Sequence, residues 1–135
     1  MYLLDTDILS NLVKKAPSSL LLKKLKEIPE DLVVTSAINT GEIFYGAFRS
    51  PHRERILAFF AEKVFPHLEI LSFDDRSSRA YGELKAGLEK KGLAKSETDL
   101  RIAAIALQHR LILVTGNIRH FDNIPGLKVE NWLVG

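Results

Sequence analysis

The chain has 135 residues, 46% of them hydrophobic and 27% charged, a size and balance typical of one folded domain. It contains no cysteine, which excludes a disulfide framework, a thiolate metal site and a cysteine nucleophile. The formal net charge of +2 is a weak basic bias, so a surface that binds nucleic acid would have to be local.

Two features of the sequence predict the cellular compartment of the protein: the first residues of the chain and the length of its apolar runs. Residues 1–5 hold no basic start followed by an apolar run, which predicts that they are not a signal peptide. The apolar stretches are far shorter than the ~20 residues that cross a bilayer. We therefore expect a soluble, cytoplasmic protein with no membrane partner.

Short apolar runs alternate with helical spacing along the whole chain. The first half predicts strands at 2–4 and 32–35 and helices at 8–13, 18–26, 38–48 and 54–64. The second half predicts strands at 68–71, 111–115 and 127–130 and helices at 75–91 and 97–109. This alternation indicates a single α/β domain over residues 1–135, built on a parallel sheet.

Four polar residues fall at the predicted carboxyl edge of this sheet, where ligands bind in such folds. Asp5 follows the first strand, and Asn117 closely follows the strongest one. Glu42 lies one to two turns into the helix after the second strand. Asp99 lies in the first turn of the helix that leads to the fourth strand. The topology therefore predicts that these side chains converge.

Three carboxylates in one cleft repel one another unless protons or a cation neutralise them. Oxygen ligands without histidine or cysteine favour Mg²⁺ or Mn²⁺. Such an ion activates water and stabilises charge on a phosphoryl oxygen, which is the chemistry of phosphodiester hydrolysis. Because the chain offers no convincing pair of nucleophile and base, we expect hydrolysis by water without a covalent enzyme intermediate.

Each of these acids also has a structural interpretation. Asp5 is a favoured cap for the helix that follows it, residues 96–99 approximate a capping box that includes Asp99, and Glu42 suits a solvated helix face. Two further sets of residues are given a structural role only. The first is the acids at helix starts, Asp7, Asp74 and Asp75, and the second is the histidines expected at the surface, His52, His67, His109 and His120.

Several segments of the chain together resemble a known family. They are 3–10 (LLDTDILS), 41–46 (GEIFYG), 98–106 (TDLRIAAIA), 113–121 (LVTGNIRHF), 124–127 (IPGL) and 131–132 (NW). These segments follow the order of the family's motifs and extend from one end of the chain to the other. Together they closely resemble the PIN-domain family, specifically its VapC-type toxins. The resemblance implies a five-stranded parallel sheet flanked by helices and a Mg²⁺- or Mn²⁺-dependent endoribonuclease that cuts RNA.

The same resemblance implies roles and partners. It assigns the metal-site acids Asp5, Glu42 and Asp99 and the hydrogen-bonding residues Thr6, Thr115 and Asn117. Asp5 and Asp99 are the firmest ligands, and Glu42 binds the ion or orients a water. The resemblance also implies a homodimer and a VapB-type antitoxin that wraps the toxin and blocks the cleft. The aromatic stretch 45–65 is a candidate groove for a partner helix.

The chain departs from the family pattern in two places. Many members carry a fourth acid in the segment that matches 115–121, but Asn117 and His120 are not acidic and Asp122 is out of register. This departure weakens the case for a second metal ion. Asp7 replaces a common asparagine, which adds negative charge near the site.

For RNA phosphates, the candidates are Arg101 and Arg119, which lie close in sequence to site residues. Three other functions stay open. A PIN-like nuclease acting on DNA or structured nucleic acid would use the same acids. A receiver-like signalling domain also gathers acids at this edge, but it needs a lysine that residues 115–117 do not supply. The third is a catalytically impaired RNA-binding module. A loss of RNA cleavage in Asp99→Asn would exclude this module in favour of an enzyme.

Overall fold

Five short parallel strands form the centre of the molecule. In the computed structural model, which describes all 135 residues, the sheet has the order β3-β2-β1-β4-β5. The strands are β1 (Tyr2–Leu4), β2 (Val33–Ser36), β3 (Glu69–Leu71), β4 (Ile112–Val114) and β5 (Lys128–Glu130). Every neighbouring pair is parallel, which confirms the predicted α/β fold. Strands β2 and β3 lie on one side of the central β1, and β4 and β5 lie on the other. The point between β1 and β4 is therefore a topological switch point, where a crevice forms at the carboxyl ends of the strands.

Six helices accompany the sheet. They are α1 (Thr6–Leu12), α2 (Ser19–Glu27), α3 (Ala37–Phe48), α4 (Arg53–Phe59), α5 (Asp75–Lys90) and α6 (Glu97–Gln108). Serine hydroxyls cap three of them by accepting a backbone N–H, at Ser18, Ser36 and Ser96. Length and hydropathy leave no helix able to span a bilayer.

One predicted helix differs from the structure. The pattern predicted a single helix over 54–64, but α4 ends at Phe59 and a π turn covers Phe60–Val64. Phe60 and Val64 are both buried in this turn, and the Phe60 ring stacks on Phe65 with centroids 5.4 Å apart. Packing of these side chains into the core therefore accompanies the local widening of the helix.

The core forms on both faces of the sheet because consecutive strand residues point to opposite sides. Leu3 and Leu113 pack with α6 residues such as Ile105 on one face. Leu4 and Val114 pack on the other face with residues of α1 and α2. β1 is therefore buried on both sides, and the next residue, Asp5, is fixed at its carboxyl end.

The aromatic stretch 45–65 does not form one surface. Phe60 is 1% exposed and lies in the core. In contrast, Phe44, Tyr45 and Phe48 of α3 are 41%, 66% and 54% exposed. Among the aromatic residues of the stretch, only Tyr45 and Phe48 of α3 are therefore exposed to a partner.

Candidate active site

A polar cleft of about 740 Å³ lies at the carboxyl edge of the sheet. None of the eleven residues that line it is hydrophobic. Four of them are the carboxylates Asp5, Asp7, Glu42 and Asp99. The three acids that the topology was expected to bring together thus line one cavity, and a fourth acid lies with them.

Asp5 is buried, with 6% of its surface exposed. It occupies the N-cap position of α1, but its side chain caps no backbone amide, so the capping interpretation is wrong for its carboxylate. The carboxylate instead accepts hydrogen bonds from the Thr115 hydroxyl at 2.8 Å and the Asn39 amide at 3.0 Å. Burial raises the pKa of Asp5 from 3.8 to about 6, and the charges of Asp7 and Asp99 add to the rise.

Asn39 is a site residue that the sequence analysis missed. It is fully buried in the first turn of α3, where the Ser36 hydroxyl donates to its Oδ1 at 2.6 Å. Its Nδ2 donates to Asp5 Oδ1 and to Thr6 Oγ1, both at 3.0 Å. The available signal was its position three residues before Glu42, because residues at that spacing share one face of a helix.

Glu42 is held by the predicted supporting residue Thr6. The Thr6 hydroxyl donates to Glu42 Oε1 at 2.5 Å while it accepts from Asn39. Glu42 is exposed on α3, as the structural interpretation expected, but its carboxylate is tied to the start of α1. A continuous hydrogen-bond network therefore links Asp5 and Glu42 through Asn39 and Thr6.

Asp99 lies in the first turn of α6, with 19% of its side chain exposed. Its backbone N–H donates to Ser96 Oγ at 3.1 Å, which forms half of the expected capping box. Its carboxylate faces His120, with Nδ1 of His120 3.4 Å from Oδ2 of Asp99. His120 is exposed, as expected of a surface residue, and it also lines the cleft.

Asp7, which the sequence analysis kept as a helix-start acid near the site, lines the cleft itself. It lies in the first turn of α1, as a helix-start acid should, but its carboxylate turns toward the residues after β4. Asp7 Oδ2 accepts from the Gly116 backbone N–H at 2.7 Å and from Asn117 Nδ2 at 3.3 Å. The predicted supporting residues Thr115 and Asn117 are thus both present at this edge of the site.

The predicted RNA-contacting arginines lie outside the cleft lining. Arg101 points to Glu97 at 3.7 Å, and its guanidinium lies 5.6 Å from the centre of the Tyr81 ring. Lys14 lines the cleft instead, a residue that the sequence analysis did not single out. RNA contact by Arg101 or Arg119 stays a prediction.

Asp122, which was out of register in the sequence, is also turned away from the cleft. It pairs with Lys95, whose Nζ also donates to the Arg119 carbonyl at 3.2 Å. The segment after β4 thus contributes no carboxylate to the cleft lining, only Asn117 and His120.

The donor chemistry of the cleft fits a hydrated divalent cation. No three His, Asp or Glu side chains lie close enough together to hold an ion by themselves. Mg²⁺, however, usually takes one or two carboxylates and keeps several waters. The charges of Asp7 and Asp99 already oppose ionisation of Asp5, so a cation beside Asp5 would relieve that repulsion. The residues of the cleft therefore fit a Mg²⁺ or Mn²⁺ ion that keeps most of its water ligands.

Comparison with known proteins identifies the relatives of this chain. A family described as "PIN domain" matches residues 2–127. Ribonuclease VapC2 of Haemophilus influenzae is 35% identical over 132 residues, which cover 98% of both chains. The tRNA(fMet)-specific endonuclease VapC of Salmonella typhimurium is 31% identical over 131 residues, which cover 97% of both.

Solved structures agree with this match. VapBC2 from Rickettsia felis, bound to a DNA fragment from its promoter, aligns with a TM-score of 0.88 at 34% identity, covering 97% of this chain and 98% of that chain. DNA-bound VapBC from Salmonella typhimurium aligns with a TM-score of 0.89 at 31% identity, covering 97% of each. The receiver-like interpretation of the acids is therefore wrong.

Proposed function

Because the chain belongs to the PIN-domain family, we propose that it is a metal-dependent endoribonuclease, the toxin of a toxin–antitoxin pair, with its active site in the acidic cleft. The observation that carries the proposal is the meeting of Asp5, Glu42 and Asp99 in one cleft. These acids come from the end of β1, from α3 and from α6, so only the fold brings them together.

RNA is the proposed substrate because relatives that match over nearly the whole chain are named ribonucleases, and one is named for a transfer RNA. The partner is proposed on the same basis, since the aligned structures are VapBC complexes. We expect a VapB-type antitoxin to cover the cleft and the chain to form a homodimer.

Asp5 and Asp99 are the residues proposed to hold the cation. When bound, Mg²⁺ or Mn²⁺ would lower the pKa of a nearby water and stabilise charge on the phosphoryl oxygen. Thr115 and Asn39 fix the Asp5 carboxylate by donating to its two oxygens. Thr6 fixes Glu42 in the same way. The side chains are therefore oriented before substrate arrives.

Glu42 is exposed at the cleft and is placed to accept a proton from an attacking water. The water oxygen would attack phosphorus while the bond from phosphorus to the 3′ oxygen breaks. The 3′ oxygen would leave as a hydroxyl with the proton, and the phosphate would stay on the 5′ end. A product with a 2′,3′-cyclic phosphate would contradict this mechanism, because it requires attack by the RNA's own 2′-hydroxyl.

The test is cleavage of end-labelled total RNA by the purified full chain, with Mg²⁺, with Mn²⁺ and with excess EDTA. We expect discrete cuts that EDTA and Asp99→Asn abolish and that Asp75→Asn retains. Asp75 is the matched control because it is also a first-turn acid, on α5, and it does not line the cleft.

Cutting that persists in EDTA would contradict the metal-dependent mechanism. Single-stranded DNA of the same sequence, run in parallel, tests the rival DNA nuclease. Binding of RNA without cutting by the antitoxin-free chain would favour the impaired binding module.

A further inference from the structure

Asp7 bridges two segments that are far apart in sequence. Its Oδ2 accepts from the Gly116 N–H at 2.7 Å and from Asn117 Nδ2 at 3.3 Å, and its Oδ1 lies 3.4 Å from Thr115 Oγ1. The carboxylate therefore contacts all three residues of the turn that follows β4. No other acid of the cleft contacts the backbone of this turn.

Gly116 shows how closely this carboxylate is seated against the turn. A Cβ atom at Gly116 would lie 2.6 Å from Asp7 Oδ2 and 2.9 Å from Leu133 Cδ1. Both distances are shorter than van der Waals contact, so a side chain at this position would push the carboxylate away from the Gly116 N–H. Glycine therefore allows the close approach of Asp7 without a shift of the Asp7 or Leu133 side chain.

The turn matters to the site because it carries Thr115. The Thr115 hydroxyl donates to Asp5 Oδ2 at 2.8 Å and accepts from the Asn117 N–H at 3.0 Å. We propose that Asp7 is a positioning residue, whose carboxylate holds the turn of Thr115, Gly116 and Asn117 against α1 so that Thr115 keeps its hydrogen bond to Asp5. The effect on RNA cleavage rests on the proposed function, whereas the effect on the turn does not.

The role proposed for Asp7 in the turn depends on its hydrogen bonds, whereas its charge acts separately on Asp5. An asparagine in the same rotamer keeps an oxygen where Gly116 and Asn117 donate, and its NH₂ group faces the Thr115 oxygen. Thr115 then keeps its proton for Asp5. An alanine offers no acceptor and leaves the Gly116 N–H without its partner. Asp7→Asn and Asp7→Ala therefore separate positioning from charge.

The direct test is hydrogen exchange of the Gly116 amide, followed by NMR in the full chain without added metal. We expect Asp7→Ala to speed this exchange at least tenfold and Asp7→Asn to stay within threefold of the wild type. Asp75→Ala is the matched control, since it removes a first-turn acid from α5 without touching the turn. Unchanged exchange in Asp7→Ala would overturn the proposal.

The second readout is steady-state cleavage of an RNA substrate. We expect Asp7→Ala to lower kcat at least tenfold with KM within threefold, because the site is misaligned while the RNA surface is intact. Asp7→Asn should restore kcat to within threefold of the wild type. Equal loss in both variants would overturn positioning in favour of a charge role. If the wild type cuts no RNA, the hydrogen-exchange test still shows whether Asp7 holds the turn in place.

Should Asp7→Ala fail to fold, Gly116→Ala disturbs the same contact from the other side. We expect it to speed exchange of the residue 116 amide and to lower kcat as Asp7→Ala would. A folded Gly116→Ala variant with wild-type exchange and wild-type kcat would overturn the proposal.

Discussion

Two clusters of charge flank the start of α6, and they are built in opposite ways. Glu97 faces α5, where it contacts Lys85 at 2.5 Å, and it lies 3.7 Å from Arg101. Asp99, two residues later, lines the cleft, where its ion-pair partner is His120 at 3.4 Å. One acid is matched by permanent cations, and the other faces a side chain that is charged only when protonated.

The direction of the pKa shifts follows the same division. The hydrogen bond from Lys85 lowers the pKa of Glu97, whereas burial raises the pKa of Asp5 to about 6. Acids with their own cations complete a structural cluster. The acids of the polar cleft have no lysine or arginine ion-paired to them and are costly to ionise together, which is typical of a site that binds a positive ligand.

The largest expected effect tests this comparison through activity. Asp5→Asn should lower RNA cleavage about a thousandfold, or about 4 kcal/mol of transition-state stabilisation, because it removes a proposed ligand of the cation. Glu97→Gln should leave kcat/KM within threefold of the wild type. The measurement is the initial rate of cleavage in Mn²⁺ at substrate concentrations below KM.

Similar losses in the two variants would contradict the division between a catalytic and a structural acid. Circular dichroism of both proteins controls for folding. A loss in Asp5→Asn alone, with unchanged helical content, would assign the effect to the cleft.

The next effect is on stability against pH in the metal-free protein. Asp5 has a folded pKa of about 6 and an unfolded value near 3.8, so the unfolded state releases its proton first as the pH rises. The contribution of Asp5 to the free energy of unfolding therefore has its full value below pH 3.8 and is lost as the pH rises through 6. The shift corresponds to at most about 3 kcal/mol. Urea titrations from pH 4 to pH 8 measure it.

Asp5→Asn is the control for this prediction, because its amide does not titrate. The difference in unfolding free energy between variant and wild type should therefore grow in favour of the variant between pH 4 and pH 7. Adding Mn²⁺ at pH 7.5 should stabilise the wild type more than the variant, by about 1.4 kcal/mol at ten times Kd. A difference that does not change with pH would show that Asp5 ionises normally.

The sequence predicted the architecture because hydrophobic periodicity and burial are local signals of the chain. Apolar runs such as 111–114 identify strands that are covered on both faces, and all five were placed correctly to within two residues. The convergence of Asp5, Glu42 and Asp99 then followed from topology alone, since parallel strands end at one edge.

The sequence did not reveal the residues whose role depends on side-chain direction. Asp7 looked like a helix-start acid because its spacing is that of one, yet the helix phase turns it toward Gly116. Asn39 is buried and holds Asp5 through a contact 34 residues apart in the chain. His120 reaches Asp99 only because the 3-10 turn Ile118–Phe121 brings it there. The spacing of Asn39 and Glu42 indicates a shared helix face, but no local pattern encodes which distant side chain each of these residues contacts.

The smallest expected effect concerns the exposed cluster around Glu97. Glu97→Gln should lower the urea midpoint slightly in 50 mM salt, and 1 M salt should abolish the difference, because charges at a surface are screened over about 3 Å at that concentration. The pH-dependent difference between Asp5→Asn and wild type should persist in 1 M salt, since its main cause is burial. If salt removed both differences alike, Asp5 would be as open to solvent as Glu97, and the contrast between the two clusters would fail.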